Sequence, residues 1–570
     1  MNKKTLSLAL ALTVLFSTVV NVQFRRTLDY VGAAESLTSQ ESQVVALVNG
    51  TNAYRYDLEL EKIALNHSVS GYSFRSGGSA GATATAMWLR DKLVSFGLDV
   101  SLESFDFTNW NLPIQPILIV DEDGDNSTTN DQTLMSSFQY EHYSWPTPEG
   151  GVFADLVVLP LPSAASFDEI STKPIDSTLW DIINTTGKIV LIGREVRQNH
   201  GWEEIYETKL SAQPPAAVVY TWWYPWNSFV PPFFSSSGGL PLSSLGTYYW
   251  NSKIPTGWLS YGDGLWIRER EDSANISAAV SIPSVVGTGP HYNVVGKLVG
   301  DQQSKFVIIS GHYDTVMTSG FVDNGAGTSG VLELARVFTE AAKNSVYNSN
   351  YTLVFVAFAS EELGLIGSSN YVMQHKAEMK DIVAVVNLDS IGSDNLEVTR
   401  TSPSRVLDLD EIVFKAAGDL NVNITETGIG SSDQEAFRDP LTTGTTYSMV
   451  WSDYALTISD AAPVESSVML VSSPLLYSDK WNKTNPGWIH TAYDNSTSTQ
   501  TLNWLEPDSF EGQIKVAALS AMRISPSSQI VDARPPLFLF LVLGVALAAV
   551  VVTVVYFVKV RKPPIKTVAQ

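Results

Sequence analysis

The chain has 570 residues, 44% hydrophobic and 17% charged, a balance typical of globular rather than disordered proteins and a length that predicts several domains. A formal net charge of −23 argues against nucleic acid as a partner, because phosphate backbones reward basic surfaces. There is no cysteine, which rules out disulfides, thiolate ligands and a cysteine nucleophile and leaves His, Asp and Glu to build any metal site.

Lys3 and Lys4 precede an apolar stretch over 6–22, the n-region and h-region of an export signal. No cleavage site is clear, so residues 1–34 are expected to be a signal peptide or an uncleaved signal anchor. Over 38–66 the spacing of Val44, Val45, Val48, Tyr54, Leu58, Leu60, Ile63 and Leu65 predicts helices. A Gly/Ser loop over 71–81 follows, then a helix over 83–96 stopped by Gly97, then a strand over 98–107. Residues 35–110 are expected to form the first part of the main domain.

Residues 111–288 change character. Short β-type runs at 117–120, 152–159, 188–192 and 216–220 are separated by turn clusters, which predicts an inserted, mainly β domain. Its tryptophans Trp202, Trp222, Trp223 and Trp226 are expected to fill a core or an interface. From 289 to 526 strands (305–310, 353–358, 383–388) alternate with helices (325–342, 367–375, 407–417). That alternation predicts an α/β domain with a largely parallel sheet covered on both faces, whose ligands sit outside the carboxyl ends of its strands.

Residues 535–558 contain the uncharged apolar run 537–558, long enough for a bilayer-spanning helix. Lys559, Arg561, Lys562 and Lys566 follow, which places the tail 559–570 in the cytoplasm and everything before 534 outside or in a lumen. The expectation is a single-pass protein of the cell membrane. Sequons at Asn49, Asn66, Asn126, Asn184, Asn275, Asn350, Asn423, Asn482 and Asn495 are compatible with a glycoprotein. Nothing in the sequence decides whether it forms a homodimer.

Acids and imidazoles collect at the predicted strand ends. His312 and Asp314 follow the strand at 305–310; two residues apart in extended chain, they face one side, so Asp314 can bond His312 or ligate beside it. Asp323 opens the next helix through Asp-Asn-Gly. Glu361 and Glu362 close the strand at 353–358, and one can bind metal while the other faces water. Asp389 ends a strand so apolar that its carboxylate needs a partner. His490 is one of only seven histidines. Together they can hold two divalent cations and leave a carboxylate free to move protons. Oxygen and nitrogen ligands suit Zn²⁺, Mn²⁺ or Co²⁺, and the imidazoles favour zinc.

In chain order, Gly-His-Tyr-Asp (311–314), Asp-Asn-Gly-Ala-Gly (323–327), Ser-Glu-Glu-Leu-Gly (360–364), Asn-Leu-Asp-Ser (387–390) and Ile-His-Thr (489–491) resemble the co-catalytic di-zinc peptidases of the aminopeptidase Y and glutamate carboxypeptidase II type. The segment 432–437 is similar to a further motif of that family, with Gln434 where a histidine is usual. The resemblance implies a phosphorylase/hydrolase-like mixed, mostly parallel sheet flanked by helices, and two Zn²⁺ per chain. It implies that Asp323 bridges both ions, that His312 and Asp389 complete one site, and that Glu362 and His490 complete the other. Glu361 is then the general base and acid, and Asp314 supports His312. Tyr447 and Tyr454 are both candidates for an oxyanion-stabilising tyrosine. The β insertion resembles a protease-associated domain that caps one side of the cleft. The implied function is zinc-dependent exopeptidase action on peptide substrates, first as an aminopeptidase. The alternatives are a glutaminyl-peptide cyclase on the same scaffold and a non-catalytic, receptor-like ectodomain. A serine hydrolase is a poor third alternative.

Overall fold

The structure is a computed structural model that describes residues 36–68, 74–122, 132–140, 144–159, 183–193, 210, 212–221, 254–271, 276–316, 318–393, 395–401, 407–427, 432–438, 446–449, 454–457, 463–473, 494–498, 505 and 507–525. The expected signal segment, the four tryptophans, His490, the apolar run 535–558 and the basic tail all lie outside them. Among the described residues no helix is long and apolar enough to cross a membrane.

Helix α1 (Ser39–Leu47) starts at a capping box in which Thr38 and Glu41 satisfy each other's amides. Helix α2 (Gly50–His67) is capped by Asn49. Helix α3 (Ala80–Phe96) is capped by Ser79 and ends on Gly97 at φ 102°, the left-handed stop that glycine supplies. The main sheet comprises β1 (Asp99–Asn111), β2 (Val285–Leu298), β3 (Gln302–His312), β4 (Tyr351–Phe358), β5 (Ile382–Leu388), β6 (Asn395–Thr399), β7 (Ile424–Thr427) and β8 (Ser467–Ser473), in the spatial order β1-β2-β4-β3-β5-β8-β6-β7. Neighbours β4, β3, β5 and β8 run parallel, whereas β1–β2, β2–β4 and β8–β6 are antiparallel. The sheet is therefore mixed, with a parallel centre.

That centre is buried on both faces, and every residue of β4 and β5 is buried. Alternation along β3 sends Val307 and Ile309 into the larger core with Leu89, Leu334 and Phe338. Ile308 goes to the opposite layer with Val356, Phe358 and Tyr371. Helices α4 (Gly327–Lys343), α5 (Ile366–Gln374), α6 (Leu409–Asp419) and α7 (Pro507–Arg523) complete the layers.

A second sheet holds strands 132–134, 117–121, 277–281, 152–159, 189–193, 217–221, 256–258 and 139–140 in that spatial order. Its middle four-strand run, from 152–159 to 256–258, is parallel, and it carries the helix Tyr261–Glu271, which the mainly β reading of this segment does not predict. The segment leaves the main sheet at the end of β1 and returns at the start of β2, and those strands pair in one ladder from Asp99↔Lys297 to Asn111↔Val285.

Candidate metal centre

Three adjacent parallel strands deliver the predicted residues to one place. His312 is the last residue of β3, Glu361 and Glu362 lie just past β4, and Asp389 follows β5. Asp323 comes from Phe321–Ala326, which leads into α4 and leaves helical geometry at Asp323 (φ −109°, ψ 98°) and Asn324. That departure turns the carboxylate toward the strand ends.

His312 is buried. Its Nδ1 donates to the backbone oxygen of Asp314 at 3.1 Å, which fixes the tautomer and leaves Nε2 as a lone-pair donor. Nε2 lies 3.3 Å from Asp323 Oδ1, 3.7 Å from Asp389 Oδ1 and 3.9 Å from Glu361 Oε2. Ligands held about 2.0–2.2 Å from a tetrahedral zinc stand about 3.3–3.6 Å apart; the Asp323 spacing falls in that range and the Asp389 spacing lies just beyond it. Two sets, His312–Asp323–Asp389 and His312–Glu361–Glu362, each present ligand atoms within 4.8 Å of one another. The donor set thus fits divalent metal. His490 is outside the described residues.

Asp314 acts differently from a plain partner of His312. Its carboxylate stands 3.6 Å from His312 Nδ1 but accepts the backbone N–H of Glu361 at 2.9 Å and of Glu362 at 3.3 Å. It therefore supports the imidazole through its carbonyl and the two glutamates through its side chain.

Electrostatics follow from crowding acids in a buried pocket. Burial pushes the Glu361 carboxyl well above the carboxylate range; Glu362, Asp433 and Asp389 push the same way against His312. His312 is held well above the usual imidazole value, since Glu361, Asp314, Asp323 and Asp389 outweigh the opposing effect of burial. A divalent cation is the natural compensation for so much converging negative charge.

Four further residues shape the site, and sequence reading gave none of them a role. Asp494 accepts the N–H of Val322 at 2.6 Å and of Asp323 at 3.2 Å, and its backbone oxygen accepts the Ser319 hydroxyl. Burial brings its carboxyl up to about 7, despite those amides and Arg75. Arg75, fully buried, donates to the carbonyls of Tyr313, Ser319 and Gly320, lacing the loop between His312 and Asp323. Asn324 donates to Leu388 O and accepts from the amides of Gly327 and Ser390, which joins the Asp323 segment to the end of β5. Asp433 is buried, its carboxyl also brought up to about 7, chiefly by burial. One signal was readable: Arg75 is the lone charge in the Gly/Ser loop 71–81. Gln434 packs beneath the site, accepting from Asn387 at 3.3 Å.

Residues 293–506 match the model of peptidase family M28. Leucine aminopeptidase 2 of Trichophyton equinum is 26% identical over 267 residues, 45% of this chain and 49% of that protein. A probable zinc metalloprotease of Pyrenophora tritici-repentis (strain Pt-1C-BFP) is 29% identical over 164 residues, 27% of this chain and 33% of that protein. The chain thus spans about half the length, or less, of these curated relatives. Among solved structures, the aminopeptidase from Aneurinibacillus sp. strain AM-1 aligns with TM-score 0.53 at 19% identity, covering 86% of this chain and 96% of that one. The zinc aminopeptidase BSAP from Bacillus subtilis aligns with TM-score 0.53 at 20% identity, covering 85% and 99%. The fold is accordingly the mixed α/β fold of these aminopeptidases, and the segment that supplies the strand-end acids is the one similar to peptidase family M28.

Proposed function

We propose that this chain is a zinc-dependent aminopeptidase holding two zinc ions, exported and anchored in the cell membrane with its catalytic domain outside. The observation that carries the activity is the convergence of His312, Asp323, Glu361, Glu362 and Asp389 from the ends of β3, β4 and β5 and the start of α4. In this reading His312, Asp323 and Asp389 hold one ion, Asp323 is shared, and Glu362 with His490 holds the other. When bound, the zinc pair polarises the scissile carbonyl and makes a nearby water more acidic.

The chain's own residues do the rest. Glu361 is largely sheltered, at 12% exposure, and burial raises its affinity for protons. It takes one from water as the oxygen–carbon bond forms, then gives it to the departing amine nitrogen as the carbon–nitrogen bond breaks. Asp314 keeps Glu361 and Glu362 in register by gripping both amides. Among the described residues, the groups that bear on Glu361 are His312, Glu362, Asp433 and Asp389. The choice of aminopeptidase over carboxypeptidase action rests on the likeness to leucine aminopeptidase 2. The β segment 111–288 serves as a protease-associated-like cap. The test is release of arylamine from aminoacyl-arylamides, against N-blocked peptides, with and without chelator. Chelator-insensitive turnover, or turnover of N-blocked substrates alone, would refute the reading.

A further inference from the structure

Next to Glu361 lies a second cluster that the chemistry above does not use. Ser360 Oγ is 2.6 Å from His291 Nδ1, and His291 Nε2 is 2.8 Å from Asn109 Oδ1. The amide oxygen of Asn109 can only accept, so Nε2 carries the proton and the neutral ring accepts the Ser360 O–H at Nδ1. By residue type this is the order of a nucleophilic serine set. Burial argues otherwise: Ser360 is 0% and His291 3% exposed, so no carbonyl can reach the hydroxyl.

The geometry instead holds a turn. Ser360 has φ 59°, a left-handed backbone that a non-glycine residue keeps only where its surroundings over-determine it. Phe105 stacks on the His291 ring at 5.5 Å and Phe107 meets its edge at 5.6 Å. Gly78 closes the other side, where a Cβ would stand 2.1 Å from Asn109 Oδ1 and 2.9 Å from His291 Nε2. Strand β2 also grips the turn through Asn293, which accepts from Ala359 N and donates to Gly367 O.

The partners' positions in the chain give this cluster its meaning. Asn109 lies two residues before β1 gives way to the second-sheet segment, and His291 lies shortly after the chain returns in β2. The neighbouring Trp110 is tied to that segment by its indole N–H on Ser144 O and by its ring against Tyr140. We propose that Asn109, His291 and Ser360 form a positioning relay through which the root of the second-sheet segment sets the aim of Glu361. The kinetic part of this inference rests on the proposed role of Glu361; the mechanical part does not.

Two variants of the full chain test it: His291→Phe, which keeps the ring and removes both hydrogen bonds, and Asn109→Ala at the far end. Each should lower kcat about 10–100-fold, the scale of a misplaced catalytic group, with KM within about twofold. Zinc content should be unchanged, and amide exchange over 359–366 should be faster. His291→Gln, which can still donate and accept, should recover part of kcat. The relay is overturned if both variants show unchanged exchange over 359–366, or if the loss falls on KM with kcat intact. If the unmodified chain cleaves no peptide, the proposed activity falls, and the exchange measurement alone decides the coupling.

Discussion

The two sheets are built from the same kind of strand but come to different ends. In the main sheet the fully buried β4 and β5 run out into Glu361, Glu362 and Asp389. In the second sheet the equally buried strands 189–193 and 217–221 run parallel side by side. Among the described residues no group of candidate metal ligands gathers at their ends; both such groups belong to the main sheet. A buried parallel sheet is therefore a scaffold, not a site. Chemistry appears where the loops past the strands carry acids and where other groups, here Asp314, Arg75 and Asp494, hold those loops in fixed positions.

This contrast can be broken by experiment. Among substitutions the largest effect belongs to Glu361→Gln, expected to cost roughly 10²–10⁴-fold in kcat while zinc stays bound; turnover like that of the unmodified chain would remove Glu361 from the mechanism. Chelation should abolish activity outright, and added zinc should restore it. In the second sheet, Leu191→Ala should instead lower stability by about 2–5 kcal/mol, the cost of a buried cavity, read by denaturant unfolding. The folded fraction should keep its kcat, and a kcat loss there would blur the division between scaffold and site.

Asp494→Asn sharpens the comparison at the loops beyond the main sheet. The amide that replaces one oxygen disturbs the grip on Val322 and Asp323 amides. Zinc affinity should fall about 10–100-fold, as when a ligand's support is removed, measurable by competition with a chromogenic chelator. The smallest effect is at His375, which bonds Glu103 and Glu378 and ties α5 to β1. Burial lowers its affinity for protons, but Glu103, then Glu378, more than reverse this, so its pKa lies above 6.5. The stabilisation is therefore full below the unfolded value of 6.5 and fades as pH rises through the folded value. His375→Gln should lower Tm on the order of 1–2 °C at pH 6 and by less at pH 9. Equal losses at both would contradict the charge argument.

Four of the eight main-sheet strands, β1, β3, β4 and β5, were legible because their signals are local. Apolar runs bounded by turn residues mark β3, β4 and β5 to within a few residues, and Gly97 marks the end of α3. Strand β2 was not legible. Gly287, Gly289 and Pro290 make its first half read as loop, yet it pairs with β1 throughout, Pro290 opposite Asp106. The helix Tyr261–Glu271 was hidden for a similar reason, since Gly262 and Gly264 weaken a helical pattern. Packing explains Gly264: a Cβ there would stand 1.9 Å from Thr221 Oγ1.

The sequence by itself determined which acids and imidazoles follow which strand, because hydrophobic period and turn chemistry are properties of neighbouring residues. Only the tertiary structure decided what those groups face. Asp494 reaches Val322 and Asp323 across 172 and 171 positions, and Arg75 reaches the carbonyls at 313–320 across more than 230. Asn109, His291 and Ser360 meet across 182 and 69. Such contacts carry no local pattern, since a polar side chain reads the same in sequence whether it meets water or a distant backbone amide.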